Sequence, residues 1–142
     1  MTTAAADQSI TWSDDFLIGI KEIDHEHRCL IEDINKLHQE LLEHVDLDRI
    51  EDTLGSIHAR MQAHFALEEH VMVSHDYLHY PEHKAEHERL LDEYTEHMTK
   101  FEGAPNLVDK ETIEDLLRQW IVDHILNSDK KMSLTVTSGK QA

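Results

Sequence analysis

The sequence predicts an all-α protein, an antiparallel up-and-down four-helix bundle with an N-terminal arm, from three observations. Only four glycines and two prolines occur in 142 residues, which favours long helices over short strands joined by turns. Apolar residues recur at intervals of three and four, as they do on the buried face of an amphipathic helix. Four such stretches follow one another with short breaks between them, which is typical of an antiparallel bundle.

The first predicted helix covers about residues 21–44, and the second covers about residues 48–73. The buried face of the first consists of Ile20, Ile23, Leu30, Ile31, Ile34, Leu37 and Leu41. The buried face of the second consists of Ile50, Leu54, Ile57, Met61, Phe65 and Met72. Asp46 or Asp48 can cap the second helix, because a carboxylate accepts hydrogen bonds from the free N–H groups of a first helical turn.

The third predicted helix covers about residues 80–102 and has Pro81 in its first turn, where the missing N–H costs nothing. Its buried face consists of Leu90, Leu91, Tyr94, Met98 and Phe101. A loop is predicted at "EGAPNLVD", which contains Gly103 and Pro105 and ends with Asp109 as a capping candidate.

The fourth predicted helix covers about residues 110–133. Its buried face consists of Ile113, Leu116, Leu117, Trp120, Ile121 and Ile125. The N-terminal arm, about residues 1–20, is expected to pack across the bundle through Trp12, Phe16 and Ile18. The C-terminal tail, "TVTSGKQA", is expected to be loose.

The composition is strongly acidic, with 30 Asp and Glu residues against 13 Lys and Arg residues and a formal net charge of -17. The longest basic cluster is Lys130 and Lys131, so an electrostatic attraction for phosphate is missing. Nucleic acid and anionic membranes are therefore excluded as expected partners. The acidity is interpreted either as a solvated, self-repelling surface or, in part, as carboxylates that bind metal.

Cys29 is the only cysteine, so the chain can form neither an internal disulfide nor a cysteine-based zinc cluster. No apolar run approaches the roughly 20 residues of a membrane span. The first ten residues, "MTTAAADQSI", lack the basic start and apolar middle of a secretory signal. We therefore expect one domain in the cytoplasm.

Histidine is unusually frequent, with 13 residues spread singly along the chain, and five of them lie on predicted buried faces. These are His27 on the first helix, His64 on the second, His83 and His87 on the third, and His124 on the fourth. Glu68 follows His64 by about one helical turn. Asp129 lies five residues beyond His124, about 140 degrees around an ideal α-helix, and is expected to approach from the flank.

A single core histidine is usually a hydrogen-bonded packing residue. Five of them on four helices are harder to explain, because each unpaired buried polar group costs about 1–3 kcal/mol. A shared metal ion would satisfy them together. The other eight histidines are interpreted as solvated surface residues. They are His25, His38, His44, His58, His70, His75, His79 and His97.

The candidate ligands are five imidazoles and two carboxylates, without a thiolate. Nitrogen and oxygen donors of this kind suit iron, manganese, copper or zinc. Seven ligands are too many for one tetrahedral zinc ion. Two metal ions bridged by Glu68 and Asp129 fit the number of ligands better.

The segments "IDHEH", "HFALEE", "YPEHKAEH" and "WIVDHILNSD" resemble the successive metal-ligand blocks of the hemerythrin family, specifically the bacterial hemerythrins. The resemblance extends from Trp12 to about Met132, and residues 1–142 are interpreted as a single hemerythrin-like domain. It implies a cofactor of two Fe ions in an oxo- or hydroxo-bridged centre. It further implies the following ligands: His83, His87 and His124 for one iron, His27 and His64 for the other, and Glu68 and Asp129 as bridges.

The resemblance also implies that the iron with two histidines keeps an open position, where dioxygen binds reversibly. The predicted function is carriage, storage or delivery of dioxygen by a non-enzymatic monomer. The sequence has no nucleophile motif and no glycine-rich phosphate loop, which favours binding over catalysis. Two alternatives stay open, namely a sensor of O2 or redox state and a di-iron enzyme acting on peroxide or nitric oxide.

Overall fold

The computed structural model describes residues 10, 12–43, 46–103 and 110–138, and its helices pack as a four-helix bundle. The helices are α1 (Lys21–Glu43), α2 (Leu47–Ser74), α3 (Tyr80–Gly103), α4 (Lys110–Asp123) and α5 (Lys130–Ser138). A π-helical segment, His124–Asp129, joins α4 to α5, so that these three pieces form one continuous rod. The described residues contain no strand. The predicted all-α bundle is therefore confirmed.

Each helix of the bundle packs against two others. α1 contacts α2 and α4, and α3 contacts the same two helices from the opposite side. The apolar faces predicted from the sequence meet in the middle, where Ile23, Ile34 and Ile57 are fully buried; the side chain of Ile113 lies outside the description. The Tyr94 hydroxyl donates a hydrogen bond of 2.6 Å to the carbonyl of Leu54 and thereby ties α3 to α2. None of the described helices is long and apolar enough to cross a membrane.

Asp46 caps α2, by accepting a hydrogen bond of 3.0 Å from the backbone N–H of Arg49. Of the two capping residues that the sequence allows, Asp46 has this role, and Asp48 lies within the first turn. Of the loop predicted between the third and fourth helices, Gly103 is the last residue of α3, while Pro105 and Asp109 lie outside the described residues.

The N-terminal arm packs against the bundle and places Phe16 and Ile18 in the core. Asp24 fixes the junction between the arm and α1, because its carboxylate accepts hydrogen bonds from the backbone N–H groups of Ile18 and Gly19 at 2.7 and 3.2 Å. Gly19 has a φ of +87°, a left-handed conformation that glycine adopts without strain. Trp12 is partly buried, with the guanidinium of Arg28 4.4 Å from the ring centroid.

The last helix is longer than the sequence predicted. α5 continues to Ser138, so the first part of the tail that was expected to be loose is helical. The reason is that the amphipathic pattern continues: Met132 is fully buried and Val136 packs against the core. Ser133 is also buried and donates a hydrogen bond from Oγ to the carbonyl of Ile18, which joins α5 to the arm.

Candidate metal centre

The structure brings the seven predicted ligands together in the middle of the bundle, where each has at most 5% of its surface exposed. They are His27 on α1, His64 and Glu68 on α2, His83 and His87 on α3, and His124 and Asp129 in the π-helical segment. Every helical rod of the bundle therefore contributes at least one imidazole. All five imidazoles direct Nε2 towards the two carboxylates.

Local helix geometry places most of these side chains. His64 and Glu68 are four residues apart on α2, and their Nε2 and Oε2 atoms lie 3.1 Å from each other. His83 and His87 have the same spacing on α3, and their ring centroids are 4.7 Å apart. Residues four apart lie on the same face of an α-helix, so one helix delivers both side chains to the same point.

His124 and Asp129 need a different backbone, because five residues of α-helix would turn the second side chain away from the first by about 140 degrees. In a π-helix the hydrogen bonds run from i to i+5, so residues at this spacing return to the same face. The segment is π-helical, and His124 Nε2 lies 2.9 Å from Asp129 Oδ1. Asp129 therefore faces the centre directly, and the expected approach from the flank is wrong.

Glu68 divides its two oxygens between two sets of imidazoles. Oε1 lies 2.8 Å from Nε2 of His87, and it is 3.5 Å from Nε2 of His83 and 3.6 Å from Nε2 of His124. Oε2 lies 3.1 Å from Nε2 of His64 and 3.4 Å from Nε2 of His27. We call these sets the three-histidine group (His83, His87 and His124) and the two-histidine group (His27 and His64).

Asp129 divides its oxygens in the same way. Oδ1 lies near the three-histidine group, 2.9 Å from His124 and 3.1 Å from His83. Oδ2 lies 2.9 Å from Nε2 of His27, in the two-histidine group. Each group together with Glu68 and Asp129 presents ligand atoms that all lie within 4.8 Å of one another. The arrangement thus contains two overlapping candidate metal sites that share both carboxylates.

Protonation in the cluster follows from the contact between imidazoles and carboxylates. Burial alone would lower the pKa of His27, but the hydrogen bond with Asp129 and the nearby Glu68 carboxylate outweigh it and raise the pKa to about 9. The same balance raises the pKa of His83 to about 9. Burial and the neighbouring Glu68 charge would raise the pKa of Asp129, but the contacts with His124 and His27 outweigh both and lower it to about 2. Protons on the imidazoles therefore compete with any metal ion for this centre.

The residues fit a bound cation. Both oxygens of Glu68 are buried and have no hydrogen bond of normal geometry within the described part of the chain, although imidazole nitrogens surround them at 2.8–3.6 Å. A buried carboxylate in this condition is costly unless a cation neutralises it. Imidazole nitrogen and carboxylate oxygen, with no thiolate among the seven side chains, suit iron, manganese, copper or zinc.

Two further residues contact the cluster from outside and a third holds one of them, and the sequence did not single out any of the three. Glu69 Oε2 lies 2.9 Å from Nδ1 of His87, and Glu86 accepts a short hydrogen bond from Nδ1 of His124. Ser128 donates a hydrogen bond of 2.9 Å from Oγ to the same Glu86 oxygen. Glu69 and Glu86 each precede or follow a predicted ligand directly, but in so acidic a chain this position alone does not distinguish them.

Aromatic side chains close one side of the cluster. The Phe65 ring stacks on the imidazole of His87 with centroids 3.9 Å apart, and the edge of Trp120 meets Phe65 at 5.5 Å. A groove of about 300 Å³ between α3 and α4 is lined by Trp120, His124 and Glu86, among others. The centre itself is shielded from solvent, because all seven candidate ligands are buried.

The remaining histidines lie away from the centre. None of those described is buried, and His25 and His70 are exposed. His44 lies outside the described residues. His25 Nε2 lies 3.6 Å from Sγ of Cys29 on the outer face of α1, and burial raises the pKa of that partly covered thiol. The prediction of which five histidines face inward therefore agrees with the structure.

A four-helix bundle that buries five imidazoles around two shared carboxylates defines a class of histidine-rich metal-binding proteins. Comparison with known proteins agrees: residues 18–133 match the family described as hemerythrin HHE cation binding domain. The chain belongs to the hemerythrin family.

Relatives in this family include proteins named bacteriohemerythrin. The one from Pseudomonas aeruginosa (strain LESB58) is 31% identical over 122 residues, which cover 84% of this chain and 76% of the relative. The one from Clostridium acetobutylicum is 31% identical over 123 residues, which cover 84% of this chain and 95% of the relative. The one from Methylococcus capsulatus is 28% identical over 122 residues, which cover 85% of this chain and 92% of the relative.

Proposed function

We propose that this protein holds a pair of non-haem irons and binds dioxygen reversibly, for carriage, storage or delivery. The observation that carries the proposal is the position of Glu68, whose two oxygens face two different sets of imidazoles. A carboxylate in this position suits a bridge between two metal ions better than a ligand to one. Asp129 repeats the arrangement from the opposite side of the cluster.

In this proposal the three-histidine group holds one iron and the two-histidine group holds the other. Glu68 and Asp129 serve both, so the two-histidine site has one protein ligand fewer. When bound, the iron pair supplies the electrons for reversible binding of dioxygen at that less crowded site. The protein orients the imidazoles, because each Nε2 is already directed inward on a rigid helix.

The apolar surroundings exclude water, which reversible binding requires because water and protons promote irreversible oxidation. Six apolar side chains that lie within four residues of a candidate ligand along the helices are buried in the core. They are Ile23, Ile31, Met61, Phe65, Trp120 and Ile125.

We propose binding rather than catalysis, because nine titratable groups at the cluster already have contacts with one another there. Seven are candidate ligands, and the other two, Glu69 and Glu86, are hydrogen-bonded to His87 and His124. No described group at the centre is left over as a general acid or base for turnover. We also propose a cytoplasmic monomer; sedimentation or light scattering measures the oligomeric state.

The test is to load the protein with iron, reduce it without oxygen, admit O2, and record the visible spectrum through repeated removal and readmission of the gas. A charge-transfer band that appears and disappears over several cycles is the expected result. His25→Ala, which changes an exposed histidine near the ligand His27, should cycle like the unchanged protein. A single irreversible conversion to the oxidised form would refute reversible carriage and support a sensor or an enzyme acting on peroxide or nitric oxide.

A further inference from the structure

The two groups of imidazoles differ on their outer side, away from the shared carboxylates. In the three-histidine group, His87 Nδ1 lies 2.9 Å from Glu69 Oε2, and His124 Nδ1 donates to Glu86 Oε1. In the two-histidine group, Nδ1 of His27 and Nδ1 of His64 are both buried and have no hydrogen-bond partner among the described residues. Outer carboxylates therefore support one group and not the other.

A carboxylate that accepts the Nδ1–H hydrogen bond has two effects on an imidazole. It keeps the proton on Nδ1, so that the lone pair of Nε2 points inward, and it makes that nitrogen a stronger donor to a metal ion. Both contacts also cross between helices, since Glu69 on α2 reaches His87 on α3, and Glu86 on α3 reaches His124 in the π-helical segment. The ring orientations are thereby fixed from outside the centre.

Glu86 is held more firmly than a lone surface carboxylate. Ser128 donates from Oγ to the same oxygen at 2.9 Å, and the Glu86 side chain, which lines the groove between α3 and α4, is 32% exposed. Partial exposure lets water solvate this carboxylate, which favours its charged form. The contact with His124 is thus a charged hydrogen bond in a fixed geometry.

We propose that Glu69 and Glu86 are positioning residues that make the three-histidine group the tighter of the two metal sites, so that the first metal ion enters there. The inference rests on the proposed two-metal centre and adds an order of loading to it. The three-histidine site has one more imidazole, and two of its imidazoles have a strengthened Nε2. The two-histidine site fills second, which suits a site that must keep an open position.

The test is a titration of metal-free protein with Co²⁺ in competition with a chelator, which measures two dissociation constants. The unchanged protein should bind two equivalents, the first more tightly. His64→Ala should remove the weaker step and retain the tighter one, whereas His87→Ala should remove the tighter step. Glu69→Gln and Glu86→Gln should each weaken the tighter step about 10- to 100-fold, the usual effect of losing an outer partner of a metal ligand.

Glu82→Gln is the matched control. Glu82 lies on α3 one turn before Glu86 and contacts the partly exposed His79 at 3.1 Å, which is not a candidate ligand. The Glu82→Gln variant should have the same two dissociation constants for Co²⁺ as the unchanged protein.

Ser128→Ala removes only the hydroxyl that holds Glu86 and should weaken the tighter step less than Glu86→Gln does.

A second readout separates positioning from a general loss of structure. The Nδ1–H protons of His87 and His124 should give slowly exchanging, Co²⁺-shifted NMR signals, one of which moves in Glu69→Gln and the other in Glu86→Gln. Two bound equivalents with unchanged constants in both glutamine variants would overturn this inference and leave the proposed centre intact. Fewer than two equivalents in the unchanged protein would overturn both.

Discussion

His27 and Asp129 lie 102 residues apart in the chain, and their side chains meet, with Nε2 and Oδ2 separated by 2.9 Å. One residue lies near the start of α1 and the other at the end of the π-helical segment, so this contact joins the first and last rods of the bundle. Asp129 also contacts the three-histidine group through its other oxygen. The side chains that would bind metal therefore also connect distant parts of the chain.

Removal of either shared carboxylate should impair both metal sites at once. Asp129→Ala and Glu68→Ala should each lower the iron content well below two per chain, because each side chain faces both groups of imidazoles. Elemental analysis of the purified variants measures the effect. His70→Ala, which changes an exposed residue two positions after Glu68, should leave the iron content unchanged; a Glu68→Ala variant with two irons would contradict the assignment.

Removal of metal should lower the melting temperature. A ligand that binds only the folded state at a thousand times its dissociation constant stabilises that state by about 4 kcal/mol. In a domain of this size, each kcal/mol of unfolding free energy changes the melting temperature by about 2–4 °C, so chelation should lower the melting temperature by about 10 °C. Calorimetry with and without chelator measures this change, and a Glu68→Ala variant, which has lost a carboxylate that faces both groups of imidazoles, should respond far less.

The metal-free protein should lose stability as the pH rises from about 6.5 to about 9. The folded-state pKa of His27 and of His83 is raised to about 9 from an unfolded value of 6.5. A raised pKa contributes stability that is fully present below the unfolded value and is lost as the pH passes the folded value. Urea unfolding across this range measures the change, and a profile that stays flat would contradict the ion pairs of His27 and His83 with Asp129.

Metal affinity should change with pH in the opposite direction. An imidazole must lose its proton from Nε2 before it binds a cation, so protons compete with metal up to about pH 9 at His27 and His83. Competition titrations with Co²⁺ should give tighter binding at pH 8 than at pH 6. If surface histidines were the only ligands, the metal affinity would stop rising with pH near the ordinary histidine pKa of about 6.5.

Phe65 should be important for the stability of the bundle as well as for shielding the centre. Its ring is 1% exposed and stacks on His87, so Phe65→Ala should lower the free energy of unfolding by about 3–5 kcal/mol. Urea unfolding of the metal-free variant tests this. Val73→Ala, on the same helix but 55% exposed, should change the free energy by less than about 0.5 kcal/mol.

Much of the fold and centre could be predicted because it depends on spacing along one helix. The period of the apolar residues identified the buried faces, and those faces placed His27, His64 and His124 inward before any packing was known. Glu68 and His87 followed from a separation of four residues, which a regular α-helix converts into proximity. The resemblance to hemerythrins added the division into two groups.

Two features lay beyond such local rules. The π-helical segment that turns Asp129 towards His124 forms because its backbone hydrogen bonds run from i to i+5 and not from i to i+4. Over only six residues, neither apolar spacing nor helix propensity distinguishes these two hydrogen-bonding patterns. The outer partners Glu69 and Glu86 contact imidazoles on neighbouring helices. The chain has many acidic residues, and the rotation and shift of the helices against each other decide which of them contacts a given histidine.

The sequence by itself determined that this chain forms four amphipathic helices and directs a set of imidazoles inward, because helix periodicity is a property of neighbouring residues. Only the tertiary structure decided that Glu68 and Asp129 divide their oxygens between two groups, and that carboxylates support one group from outside. These relationships join residues on different helices, and their geometry exists only once the helices have packed.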